Sequence, residues 1–208
     1  MKIIFVDKLK PLVDVWNIAF ADLISAGNVQ VIHGSIFDQK VDAIVSPANS
    51  FGFMDGGLDY HISANLGWDI QTNLQEYIKN NTHGELLVGQ AVAISTTHNK
   101  IPFVISAPTM RVPTILGAQS INVYLATKAA LHCMITNKLN SIAIPGMGTG
   151  VGKVPVGICA SQMRRAYEDI FSGTFPKSWK DAQNRHQLLT TSFQNLRDLQ
   201  YPKYKESY

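Results

Sequence analysis

Charge is scarce in this 208-residue chain: Asp, Glu, Lys and Arg make up 16% of it, against about a quarter in an ordinary soluble domain. So low a density excludes a disordered polyelectrolyte and a general basic coat for nucleic acid. The net charge of +3 belongs to the tail. From Gly173 onward there are six Lys or Arg against three Asp or Glu, and the residues before it balance at twelve of each sign. Cysteine is rarer still. Cys133 and Cys159 both fall in apolar helical patterns, as small buried hydrophobes do. No Cys/His spacing suggests zinc, and neither a metal nor a cofactor is expected. No apolar run approaches membrane length, and the opening MKIIFVDKLK is too short an apolar stretch for a secretory leader. The expectation is a cytoplasmic protein with no membrane contact.

What is present is apolar sequence with clear periodicity. The hydrophobic fraction is 46%, and the length suits a single domain with a full core. Residues 2–6, 29–33, 41–45, 91–95, 102–106 and 141–144 read as strands. Leu12, Val15, Trp16, Ala19, Phe20 and Leu23 recur at helical spacing, with Gly27 as a C-cap. Leu58, Ile62, Leu66, Ile70, Leu74 and Ile78 recur every four residues, a stripe that a straight helix would wind around its surface. Gly67 therefore ends one helix, and a second runs over 68–80. A helix over 118–137 carries Ile121, Leu125, Ala129 and His132 near one face. Another, opened by Pro155, buries Val156, Cys159, Met163, Tyr167 and Ile170.

Strands and helices alternate, which predicts an α/β fold: a three-layer α-β-α sandwich around a mixed, largely parallel sheet. Residues 1–172 form the domain. Residues 173–208 form an extension, partly helical and packed on it, with one helix involving Trp179 and residues 188–199. Residues 201–208 are a loose end, and a monomer is expected.

Two glycine loops stand out. Residues 41–60, VDAIVSPANSFGFMDGGLDY, run from a strand through a polar stop at Asn49 into a loop with Gly52, Gly56 and Gly57, and Asp59 follows. Residues 145–155, PGMGTGVGKVP, follow the last strand and carry Gly146, Gly148, Gly150 and Gly152. In an open α/β sheet ligands bind beyond the carboxyl ends of the strands. Glycine lets backbone N–H groups approach an anion, and a helix N-terminus adds about half a positive charge. Two such loops can hold a diphosphate without lysine or arginine, in keeping with the neutral body. Neither loop is a known phosphate motif: Val154 stands where a P-loop requires Ser or Thr after Lys153, and the alternating glycines do not make GxGxxG.

These segments together resemble the macro domain, an ADP-ribose-binding module. Its members carry a VDAIVNAAN strand, a GGG-containing loop with Asp two places after the last glycine, and a later SIAFPxxSTGxxGxP segment. The counterparts here are residues 41–49, Gly56-Gly57-Leu58-Asp59, and residues 141–155, and order and spacing agree over most of 29–171.

The resemblance implies roles. Asn49, beside Ala48, would hydrogen-bond the distal ribose, where a carboxamide offers donor and acceptor to a diol. Gly56, Gly57 and Leu58 would line the diphosphate and that ribose. Pro145, Gly146, Gly148, Thr149, Gly150, Val151 and Gly152 would cradle the phosphates from the other side. Ser35 and Ile36 would meet the adenine end. In the hydrolytic branch the carboxylate at Asp59 orients or activates water at the anomeric carbon, making Asp59 and Asn49 the catalytic pair, with Asp55 in reserve.

The chain also departs from the pattern. Ser35 stands where the family has the Asp of GDI, with Asp38 close by. Gly152 replaces an aromatic that packs on the distal ribose. Asp55 replaces the first glycine of the triplet. Arg111 can reach a phosphate or remain a solvated loop cation, and His33, His61 and His132 read as structural.

The implied partner is ADP-ribose or an ADP-ribosylated substrate, with nucleic acid only where it carries the modification. Three readings stand: a hydrolase at the distal ribose of an ADP-ribose derivative, a non-catalytic reader of ADP-ribose, and a binder of another nucleotide or of nucleic acid, which the neutral body disfavours.

Overall fold

The computed structural model describes residues 1–173 and 175–191. Its centre is a six-stranded sheet of β1 (Lys2–Asp7), β2 (Val29–His33), β3 (Ala43–Ser46), β4 (Val92–Ser95), β5 (Phe103–Ser106) and β6 (Ser141–Ile144), in the order β2-β1-β6-β3-β5-β4. Five strands are parallel, and only the β4–β5 pair is antiparallel. Helices α1 (Lys10–Ala19), α2 (Ala21–Ser25), α3 (Gly57–Leu66), α4 (Asp69–Asn81), α5 (Asn122–Thr136), α6 (Val156–Phe171) and α7 (Trp179–Leu188) complete it. The architecture is the expected three-layer sandwich.

Alternation along each strand builds two cores. Ile3, Phe5, Ala43, Val45, Ile142 and Ile144 face α1, α5 and α6. Ile4, Val6, Ile44, Val104 and Ala143 face α3 and α4. Strands covered on both faces read as continuous apolar runs, as these do. β3 starts at Ala43, not at residue 41: the Asp42 N–H donates to the Ser141 hydroxyl at 2.9 Å, and its carboxylate accepts from the N–H groups of Asn140 at 2.6 Å and Ser141 at 3.1 Å.

The four-residue stripe is resolved as its spacing requires. Ile62 and Leu66 on α3, and Ile70, Leu74 and Ile78 on α4, are all buried. The break between the helices falls at Gly67, whose φ of +116° is open to glycine and strained for other residues.

Two expectations need correction. The pattern over residues 12–23 is two helices, because Phe20 leaves helical geometry (φ −113°) and turns inward onto Phe5, with ring centroids 4.4 Å apart. Helix α5 begins at Asn122, not 118, and buries Val123, Ala126, Thr127, Ala130, Leu131 and Met134. Leu125 and Ala129 are only half-buried and His132 is exposed. Small residues at 126, 127 and 130 let α5 approach the sheet and α6 closely, so the bulkier row is not the one that packs.

Beyond α6, Ser178 caps α7 by accepting the Asp181 N–H at 3.1 Å. The buried Gln162 on α6 donates to the Leu189 carbonyl at 2.9 Å, which ties this segment to the body. Helix α7 ends at Leu188, and the expected helical residues 192–199 and loose end 201–208 lie outside the described residues. No helix among the described residues is long and apolar enough to cross a membrane.

Candidate functional site

All five parallel strands end at one edge of the sheet. β3 and β6 are neighbours, in register from Ala43↔Ile142, so the two glycine loops leave side by side. β1 and β2 lie to one side of β6, and β3, β5 and β4 to the other. The crevice between loops at such a reversal of strand order is where open α/β sheets take ligands.

The first loop is shaped by Asn49. Its Oδ1 accepts from the N–H groups of Phe51 at 3.1 Å and Phe53 at 3.3 Å, and its Nδ2 donates to the Phe53 carbonyl at 2.7 Å. The carboxamide thus folds its own turn and keeps one N–H free among the described residues. Backbone bonds from Thr109 N–H to the Ala48 carbonyl (3.0 Å) and from Ser50 N–H to the Arg111 carbonyl (3.1 Å) tie this loop to the one after β5.

Past Met54 the loop stops pairing. Gly56 is the N-cap of α3, no side chain caps that helix, and the space beside Gly56 and Gly57 is open. The N–H groups of residues 55–59 make no hydrogen bond among the described residues. Uncapped first-turn amides at the positive end of a helix dipole are a ready site for an anion. Leu58 is half-buried against the α3–α4 core.

Asp59 is buried, 9% exposed, in the first turn of α3. Ser46, the last residue of β3, donates its hydroxyl to Asp59 Oδ1. Burial pushes the Asp59 carboxyl up to about 6, the Ser46 hydroxyl pulls against this, and the charge of Asp55 adds a smaller upward push. A carboxyl poised near neutrality can exchange a proton at working pH. Ser106 pairs with Ser46 across the β3–β5 ladder, and its buried hydroxyl has no hydrogen-bond partner among the described residues.

The second loop is crowded within and open at its tip. A Cβ on Gly152 would stand 2.5 Å from the Gly148 carbonyl oxygen and 3.1 Å from Leu116 Cδ1. The Gly152 carbonyl accepts the N–H groups of Leu116 at 2.8 Å and Gly117 at 3.2 Å. No side chain fits at residue 152, so the aromatic of the family pattern has no room there. The N–H of Gly146 is held at 2.9 Å by Asp7 Oδ2, while Asp7 Oδ1 accepts from Leu9 N–H at 2.8 Å. From 147 to 152 the N–H groups make no hydrogen bond among the described residues. Pro145 and Gly148 are buried, Gly146 and Thr149 half-buried, and Gly150 and Val151 exposed at the tip.

The remaining candidates lie at the margins. Ser35 accepts the Phe37 N–H at 3.3 Å and opens a 3-10 turn, Ile36–Asp38, beyond β2, with Ile36 buried beneath it. Arg111 lies over the Phe51 ring at 4.9 Å and pairs with Glu85 at 2.9 Å, so it braces the loops. The sequence reading missed Ser46 and Asp7. Both are polar residues closing an apolar strand, which is the one signal that marks them.

Two cavities, of about 950 and about 810 Å3, lie away from the loops, one under α7 against α5 and α6 and the other between β4 and α5. In the first, Lys128 pairs with Asp169, Arg164 with Asp22 and Arg185 with Asp181. Those cations already have partners, whereas the loops present bare donors. No group of three or more His, Cys, Asp or Glu among the described residues is placed to hold a metal.

The sequence model of the Macro domain family matches residues 45–163, a span holding both loops and Asp59. A protein of Aquifex aeolicus (strain VF5) is 38% identical over 136 residues, 65% of this chain and 78% of the relative. A macro domain-containing protein of Streptomyces griseus is 31% identical over 125 residues, 59% of this chain and 69% of the relative. Among solved structures, the Oceanobacillus iheyensis macrodomain with ADP matches with a TM-score of 0.59 at 22% identity, over 75% of this chain and 86% of that one. Thermosipho africanus DarTG in complex with ADP-ribose matches with a TM-score of 0.56 at 16% identity, over 81% and 53%.

Proposed function

This chain belongs to the macro domain family, and we propose that it binds ADP-ribose or a derivative and hydrolyses a bond at the distal ribose. One observation carries the reading: two runs of backbone N–H groups without partners among the described residues, 55–59 and 147–152, stand on loops from neighbouring strands. A pyrophosphate is the ligand such a pair of donor arrays suits. The adenosine lies toward Ser35 and Ile36, and the distal ribose toward Gly57 and the free N–H of Asn49.

Asp59 then stands beside the anomeric carbon. As the bond from that carbon to its substituent breaks, positive charge builds on the ring, and a carboxylate stabilises it. Water adds its hydroxyl to the carbon, and its proton goes by way of Asp59 to the departing group. Ser46 holds one carboxylate oxygen, which leaves the other for this work.

The reader alternative is favoured by a separate observation: Asp59 is buried and Asn49 spends most of its carboxamide on its own loop. Calorimetry with ADP-ribose, followed by release of ADP-ribose from modified protein by wild type and Asp59→Ala, separates the two. Binding by both with turnover only by wild type supports the hydrolase. Binding without turnover by either supports the reader, and absence of binding overturns both.

A further inference from the structure

Three large aromatic side chains stand exposed in and just beyond the first glycine loop. Phe53 is 55% exposed, Tyr60 47% and Trp68 50%. Phe53 sits in the turn that Asn49 closes, Tyr60 follows Asp59 on α3, and Trp68 lies at the corner between α3 and α4. The Tyr60 and Trp68 rings meet edge to face at 5.8 Å, and Tyr60 meets His61 in the same manner at 5.6 Å. Tyr60 and Trp68 together make a ledge that starts one residue from Asp59, and Phe53 stands exposed on the loop that leads into α3.

The charge around the ledge has one sign. Between Phe53 and Trp68 and at their immediate flanks the exposed charged residues are Asp55 and Asp69, both acidic. Asp55 stands just before the α3 N-terminus, and Asp69 directly follows Trp68. Arg111, the cation of the neighbouring loop, is already engaged with Phe51 and Glu85.

We propose that this ledge receives the polypeptide carrying the modification, and that it selects a segment with lysine or arginine beside the ADP-ribosylated residue. Guanidinium and ammonium groups are attracted to exposed ring faces, and carboxylates at the margin add to the attraction. A nucleic acid strand would also stack on the rings, but it needs cations along its phosphates, and the charged residues next to the rings, Asp55 and Asp69, are carboxylates that repel those phosphates. The inference rests on the ADP-ribose reading of the adjoining site.

The test is a set of affinities for wild type, the Tyr60→Ala/Trp68→Ala double variant and Trp68→Phe. The ligands are free ADP-ribose, an ADP-ribosylated peptide with basic flanks, the same peptide with neutral flanks, and an ADP-ribosylated single-stranded DNA. The basic peptide is expected to bind wild type about tenfold more tightly than free ADP-ribose, an advantage that salt weakens. The double variant loses that advantage while its affinity for free ADP-ribose is unchanged, and Trp68→Phe retains most of it. Equal affinity for basic and neutral peptides, preference for the DNA, or a double variant equally weakened toward free ADP-ribose overturns the proposal. Failure of wild type to bind free ADP-ribose overturns the underlying reading, and the ledge's role with it.

Discussion

The hydroxyl of Ser46, at the end of β3, donates to the carboxylate of Asp59 in the first turn of α3. This contact joins a strand end to a helix start across the loop that holds Gly56 and Gly57. It fixes the position of the one buried acid beside the open helix N-terminus and favours its ionised form against the opposing effect of burial.

The first prediction concerns pH. The Asp59 carboxyl is raised from 3.8 to about 6 in the folded chain. Between those values the native state binds the proton and the unfolded chain does not. The contribution of Asp59 to stability is therefore fully present below the unfolded value and is lost as pH rises through about 6. A shift of this size corresponds to roughly 3 kcal/mol. Urea denaturation of wild type and Asp59→Asn across this range is expected to show wild type losing about that much relative to the variant as pH rises. A difference independent of pH would contradict the assignment.

Ser46→Ala removes the hydrogen bond that favours the ionised acid, so the Asp59 carboxyl is expected to rise further. If Asp59 serves hydrolysis as a carboxylate, the acid limb of the pH–rate profile moves to higher pH with it. Carbon-13 titration of the Asp59 carboxyl checks the first statement and the profile checks the second. A lower rate at every pH with no movement of the limb would assign Ser46 a packing role only.

Gly152→Ala places a Cβ against the Gly148 carbonyl oxygen, at 2.5 Å before any relaxation. The loop must open, which weakens the Leu116 and Gly117 hydrogen bonds to the Gly152 carbonyl. Affinity for ADP-ribose is expected to fall about tenfold or more because the donors of 147–152 lose their alignment. Tyr at this position is expected to do at least as much harm, although the family pattern has an aromatic there. Calorimetry showing unchanged affinity in either variant would contradict this.

Gln162 accepts the Tyr124 N–H at 2.9 Å and donates to the carbonyls of Ser120 at 2.6 Å and Leu189 at 2.9 Å, all while buried. Gln162→Ala leaves those backbone groups unsatisfied and is expected to cost about 2–4 kcal/mol in urea denaturation. It is also expected to expose the segment around Leu189 to proteolysis. A loss below about 0.5 kcal/mol would show that this link does not hold the C-terminal segment to the domain.

The sheet, its parallel bias and the α3–α4 junction were legible because each rests on short-range pattern. Short β-branched runs such as AIVS and SIAI, bounded by turn signals, favour a strand, and the four-residue stripe needed a break at its glycine. The packed face of α5 was not legible, because small residues at Ala126, Thr127 and Ala130 win by close approach, a tertiary effect without local periodicity. Phe20 breaking the first helix has the same origin, since its partner Phe5 lies fifteen residues earlier on a strand.

At the site, the glycine loops and Asp59 announce themselves, and the edge they share follows from strand order. What Asn49 bonds, and that Ser46 and Asp7 hold Asp59 and Gly146, depends on which backbone groups come within 3 Å after folding. Spacing along the chain does not encode that. Tyr60 and Trp68 fall off the buried four-residue stripe, but that their rings meet across the α3–α4 corner depends on the angle between the two helices, which spacing does not encode.

The central claim is that the amides of residues 55–59 and 147–152 converge on one pyrophosphate. Amide proton and nitrogen chemical shifts, followed by NMR as ADP-ribose is added, test it directly. The account predicts that signals from Gly56 and Gly57 move together with those of Gly148 and Gly150, along a single binding curve. Shifts confined to one loop, shifts gathered instead around α5 to α7, or none at millimolar ligand would contradict it.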